Sequence, residues 1–183
     1  MNTRKYTALF GLLALFAPLS LHAQAPEPPS PVQIQSFEVQ KIKLPNGKAD
    51  WTKLICKFTN TGGWTDGISF NYSVLVQVPG GTGDNYRVLT GGLTYMNVPK
   101  GPSNAILYLS PNATARFGTP TAATIEAFRG DRSLGNFQWH SSSASTSSDW
   151  LTKYPSFAGS LLSVRSTPWI LTDVEGCPDL ITN

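Results

Sequence analysis

Helical periodicity is missing from this 183-residue chain. No segment keeps apolar residues three and four apart for three turns, which excludes helical bundles and leaves strands to build a core. Beyond the first two dozen residues there is no long apolar run, so no later segment reads as a bilayer-spanning helix and the chain is not an integral membrane protein. Cysteine is limited to Cys56 and Cys177, and histidine to His22 and His140. That removes most zinc sites, which take several His or Cys ligands. Charged residues make up 14% and never form a Lys/Arg run, so the electrostatic footprint of a nucleic-acid binder is absent. There is no Gly-x-Ser-x-Gly nucleophile elbow. Gly80-Gly81-Thr82-Gly83 lacks the lysine and following helix of a phosphate cradle and reads as a hairpin loop. No cofactor is expected.

What the chain does hold begins with an export signal. Arg4 and Lys5 precede a mainly apolar run over residues 6–21, and Leu21-His22-Ala23 offers a small residue for cleavage after Ala23. The expected order is a signal peptide (1–23), a Pro-rich extended lead-in (24–31) and one domain (32–183) with a mobile Ser-rich loop over 141–148. With Arg4 and Lys5 removed, the 14 basic residues fall to 12 against 11 acidic ones, so the mature chain is close to neutral. His140 is then its one histidine. In an oxidising compartment Cys56 and Cys177 are expected to pair. Closing so long a loop stabilises by about 4–5 kcal/mol on the chain-entropy model.

The stretch from Trp51 to Val78 sets the fold class. Leu54, Cys56 and Phe58 alternate with Lys53, Ile55 and Lys57, and Ile55 is the apolar residue on the wet side. Ile68, Phe70, Tyr72, Val74, Val76 and Val78 alternate with Ser69, Asn71, Ser73, Leu75 and Gln77. A period of two with β-branched and aromatic residues specifies strands with one buried face. The glycine-rich link over 60–67 reads as the turn of a hairpin pairing the two strands directly. Further strands are expected over 32–44, with a bulge near Ser36, and over 86–89, 93–98, 105–109, 124–129, 136–140, 161–164 and 169–171. A short extension over 113–117 continues the strand over 105–109, and one or two helical turns fall within 148–154. Strands recurring about every ten residues with turns between them describe a sandwich or barrel.

Candidate sites are few. His140 is the one base available to a Ser-His-acid arrangement, but a solvated strand-end histidine is the simpler reading. Asp66, Asp84, Asp131 and Asp173 lie scattered in turns, with no paired-acid motif of a glycosidase. Arg129-Gly130-Asp131 is the integrin-type adhesion tripeptide, placed in a turn. Trp64, Trp150 and Tyr154 lie in or beside loops, where exposed aromatics stack on sugar rings or anchor a protein. Trp51 and Trp139 read as core or rim. The sequons at Asn71 and Asn112 matter only in a host that glycosylates them.

Trp51 with LICKFTN, then GWTDGISFNYSVLVQV, and TPWI at 167–170 resemble secreted immunoglobulin-like proteins of bacteria, including small ones encoded beside type IV pilus genes. The resemblance covers about half the chain and implies an immunoglobulin-like antiparallel β-sandwich of about 7–9 strands, at the cell surface or in the periplasm, with an adhesion or assembly role. It carries over no site residues. The expected function is that of an exported non-enzymatic sandwich that binds a protein partner in the envelope or on the cell surface, with edge strands available for strand addition. A carbohydrate-binding module using Trp64, Trp150 or Tyr154 is the alternative, and a glycoside hydrolase with a spatial carboxylate pair is a third reading.

Overall fold

Alternation in β2 (Asp50–Asn60) and β3 (Ile68–Gln77) sorts their side chains as expected: Leu54, Cys56, Phe58, Phe70, Tyr72 and Val74 are all buried. The two strands do not form a hairpin. The structure, a computed structural model, describes residues 30–43, 49–80, 85–142, 149–169 and 179–180. In it β2 lies between β1 (Val32–Lys43) and β5 (Gly101–Leu109), while β3 lies between β4 (Tyr86–Met96) and β6 (Thr119–Arg129). The two central strands therefore belong to opposite sheets and face each other, with the Phe58 and Phe70 rings 4.7 Å apart. Each has one apolar face. Packing face to face buries both at once, and the chain over 61–67 is long enough to bridge sheets about 10 Å apart.

One sheet runs β1-β2-β5-β9, with β9 at Leu162–Ser163. The other runs β10-β4-β3-β6-β7, with β7 at Arg132–His140, β10 at Asp179–Leu180, and a parallel strand, β8 (Ser156–Ala158), also on β4. In chain order β1, β2 and β5 take the places of A, B and E, and β3, β4, β6 and β7 those of C, C′, F and G, in an immunoglobulin-like all-β sandwich. Two tyrosine hydroxyls tie the sheets together inside. Tyr72 donates to the Ala105 carbonyl at 2.9 Å, and Tyr95 accepts from the Ile106 amide at 3.3 Å.

Some local expectations hold and others are corrected. The β1 register shifts between Ile34 and Ser36, where a bulge was expected. The strands expected over 86–89 and 93–98 are one strand, running through Gly91 and Gly92. These glycines permit close approach rather than a turn. A Cβ on Gly91 would stand 2.7 Å from the Leu161 Cβ, and one on Gly92 would stand 2.9 Å from Asn71 Oδ1. Residues 113–117 are helical, not extended, within α1 (Pro111–Phe117). The Ser110 hydroxyl accepts from the Ala113 amide at 3.1 Å and Pro111 starts the helix, a cap that the strand reading overlooked. The β6–β7 link shrinks to Gly130-Asp131, and Gly130, at φ 58°, supplies the left-handed conformation that so tight a turn needs. Trp169 lies in a turn rather than a strand. The signal peptide, most of the Ser-rich loop, Asp84, Asp173, residues 170–171 and Cys177 lie outside the described residues.

One side of the sandwich is closed by β1 and β7: the Ser30 hydroxyl donates to the Leu134 carbonyl, and Phe37 meets Trp139 edge-on at 5.3 Å. The opposite side is strapped by the chain from residue 150 onward. Trp150, in α2 (Trp150–Lys153), packs with Leu75, Val88 and Ala122 on the outer face of the larger sheet. β8 then pairs with β4, Leu161 enters the core over Gly91, and β9 pairs with β5. Val164 and Trp169 finally cover Ile55, Ile106 and Tyr108 on the outer face of the smaller sheet. That accounts for Ile55, the apolar residue on the strand's wet side.

Candidate binding surfaces

The 61–67 arch between the sheets is held by a fully buried amide. Asn60 Nδ2 lies within hydrogen-bond reach of the Gly63, Val98 and Pro99 carbonyls and of Thr65 Oγ1, at 2.9–3.2 Å, and its Oδ1 accepts from the Gly62 amide at 3.1 Å. Thr65 and Val98 exchange backbone hydrogen bonds, the Gly67 amide donates to the Tyr95 carbonyl, and Asp66 Oδ1 accepts from the Asn97 amide at 2.7 Å. The arch is thus stitched to the end of β4. From it Trp64 projects 76% exposed, the most exposed of the large apolar side chains described, and Met96 is 38% exposed on the adjoining strand. The result is a fixed aromatic tip.

The other two candidate aromatics do not join it. Trp150 is buried at 3% exposure, so its ring is not available for stacking. Tyr154 is half-buried and packs on Tyr86 with centroids 5.3 Å apart. Both serve to seal the outer face of the larger sheet.

Arg129, Gly130 and Asp131 are exposed at the β6–β7 tip. Arg129 is in register with core-facing Ile68, whereas Phe128 is in register with outward-facing Ser69. Arg129 thus follows the inner side of the sheet's end. Asp131 lines a depression of ≈ 400 Å³ on the outer side, together with Ser69, Asn71, Phe128 and Gly130.

Two further depressions, of ≈ 360 and ≈ 240 Å³, carry no His, Cys, Asp or Glu in their lining. His140 is exposed at the end of β7, opposite Ala122. Among the described residues no three His, Cys, Asp or Glu side chains converge as a metal site, and no helix is long and apolar enough to cross a membrane.

Cys56 is fully buried and has no disulfide partner among the described residues. Burial pushes its pKa up from 9.0 to about 12, against a smaller lowering from a hydrogen bond with Tyr72. Its expected partner, Cys177, lies outside the described residues.

Two surface-building residues escaped the sequence reading. Asn60 ends a strand immediately before Thr-Gly-Gly, a place where an amide commonly organises a loop. Phe128 is an aromatic in the wet phase of its strand, which it shares with Thr124 and Glu126.

A protein-family profile matches residues 27–173. No curated protein matches the chain. Among solved structures, a crystal structure of a protein from Akkermansia muciniphila is similar at a TM-score of 0.66 and 18% identity, covering 83% of this chain and 93% of that one. This is a likeness of fold. An immunoglobulin-like protein from Pseudomonas aeruginosa matches at a TM-score of 0.31 and 11% identity, over 60% of this chain and 94% of that one.

Proposed function

We propose, for a chain that belongs to the family matched over residues 27–173, the role of an exported, non-enzymatic β-sandwich that binds a protein partner in the envelope or on the cell surface, as an adhesion or filament-assembly accessory, with Trp64 at the centre of the contact. The observation that carries this reading is Trp64 itself, 76% exposed on an arch that the buried Asn60 amide holds in place. Tryptophan is among the residues that dominate binding energy at interfaces, and Met96 on the adjoining strand adds to the exposed apolar surface beside it. A fixed arch also lowers the ordering cost of association. Export is supported by the composition of residues 1–23.

The test is capture from envelope extract under gentle crosslinking, wild type beside Trp64→Ala. Wild type is expected to retain a discrete partner. Trp64→Ala is expected to lose most of it while unfolding within about 0.5 kcal/mol of wild type, as a surface change does. Equal capture by both chains would reject Trp64 as the contact.

A further inference from the structure

Beyond the protein contact at Trp64, we propose that the open end of the outer face of the larger sheet binds the sugar rings of a neutral oligosaccharide. This face has two unlike ends. At one, Leu75, Val88 and Ala122 are apolar and capped by Trp150. At the other, the depression of ≈ 400 Å³ is uncovered, within the size range of small-ligand pockets, about 300–1,000 Å³.

Cross-strand register sets what lines that end. Ser69 stands between Thr94 and Phe128, and Asn71 between Gly92 and Glu126. The Ser69 and Thr94 hydroxyls are 2.8 Å apart and hydrogen-bonded, which gives a paired donor and acceptor. Asn71 Oδ1 occupies the space that a side chain at Gly92 would take, so its amide lies across the neighbouring strand. Phe128 is the half-buried aromatic among these polar groups, and Asp131 lines the depression with it.

A pyranose ring presents an apolar C–H face and a rim of hydroxyls. The first suits the Phe128 ring. The second suits amide, hydroxyl and carboxylate partners, which between them donate and accept. No lysine or arginine lines the depression, and Asp131 is on its rim, so an anionic sugar is disfavoured and a neutral one is selected.

The experiment is an amide NMR titration of the chain from Gln24 to Asn183 with three soluble linear hexaoses, of glucose, N-acetylglucosamine and mannose, and with hexalysine. At least one hexaose is expected to give saturable shifts centred on Ser69, Asn71, Glu126, Phe128 and Asp131. Phe128→Ala is expected to weaken that binding about tenfold, the size of one aromatic contact, and Phe128→Leu, which keeps apolar volume, by a similar factor. Trp64→Ala is expected to leave it unchanged, and Phe128→Leu to leave protein capture unchanged, so the two surfaces fail or succeed separately. No shift at these amides with any hexaose would overturn the proposal. So would saturation by hexalysine alone, which would assign the surface to a cationic peptide, or shifts that centre on Trp64.

Discussion

Asn60 is the most connected side chain holding the arch that carries Trp64. Removing its amide takes away two N–H donors that the Gly63, Val98 and Pro99 carbonyls share in a largely buried setting, and Thr65 still donates to the first two but not to Pro99. Asn60→Ala is expected to destabilise by about 1–3 kcal/mol in urea unfolding. It is also expected to weaken partner capture although Asn60 itself is fully buried, because the arch that fixes Trp64 loosens. The Cys56 thiol gives a second residue-scale outcome. Its pKa of about 12 lies above its ordinary 9.0, so at pH 8 the Cys56 thiol of the native protein is expected to stay unlabelled by a thiol reagent in peptide mapping, and to be labelled on unfolding. The unfolded chain loses this proton first as pH rises, so this group's effect is a fall in stability between about pH 9 and 12. A chain that shows no thiol after unfolding without reductant carries a Cys56–Cys177 bond instead. At this scale the sequence was readable where a residue's phase determined its burial, as for Leu54, Phe58 and Tyr72. It was not readable for Trp150, whose burial depends on Leu75 and Val88 on strands far away in the chain.

At the scale of elements, alternation shows which face of a strand is buried and leaves open which strand lies beside it. That is why β2 and β3 were legible as strands while their separation into two sheets was not. Gly91-Gly92 poses the same difficulty. Glycine in a strand marks a break, a bulge or a close approach, and only the position of Leu161 decides among them. Gly91→Val is accordingly expected to displace the strap from residue 156 to 163, because no Cβ fits 2.7 Å from Leu161 Cβ. Limited proteolysis should then cut between Trp150 and Leu162 at least several times faster than in wild type, while β2 and β3 stay protected in hydrogen exchange. Unchanged cleavage would mean that the strap does not rest on Gly91. Ser110-Pro111 is a helix start that the strand reading of 113–117 missed, and its cap is visible in the sequence once a helix is considered there.

Across the whole molecule, the strand pattern predicts a sandwich or barrel, and the structure, a two-sheet sandwich, adds what the pattern does not contain. Its closed side is sealed by β1 against β7, and its open side by the strap that also covers an apolar patch on each outer face. Among the described residues, polar sheet face, the hairpin tip, the Trp64 arch and, on the strap, Leu151 and Phe157 stay exposed. A reading of composition found the loop aromatics but not which of them stay outside, because exposure depends on where the strap lies. The account's central claim is that the arch end is where a partner docks. The most direct measurement replaces one residue at a time with a photo-crosslinking p-benzoylphenylalanine, at Trp64 and separately at the exposed Leu151 and Phe157, and illuminates the protein in envelope extract. The account predicts one discrete crosslinked partner from position 64 and none from positions 151 or 157. No product from position 64, or the same products from all three, would contradict it.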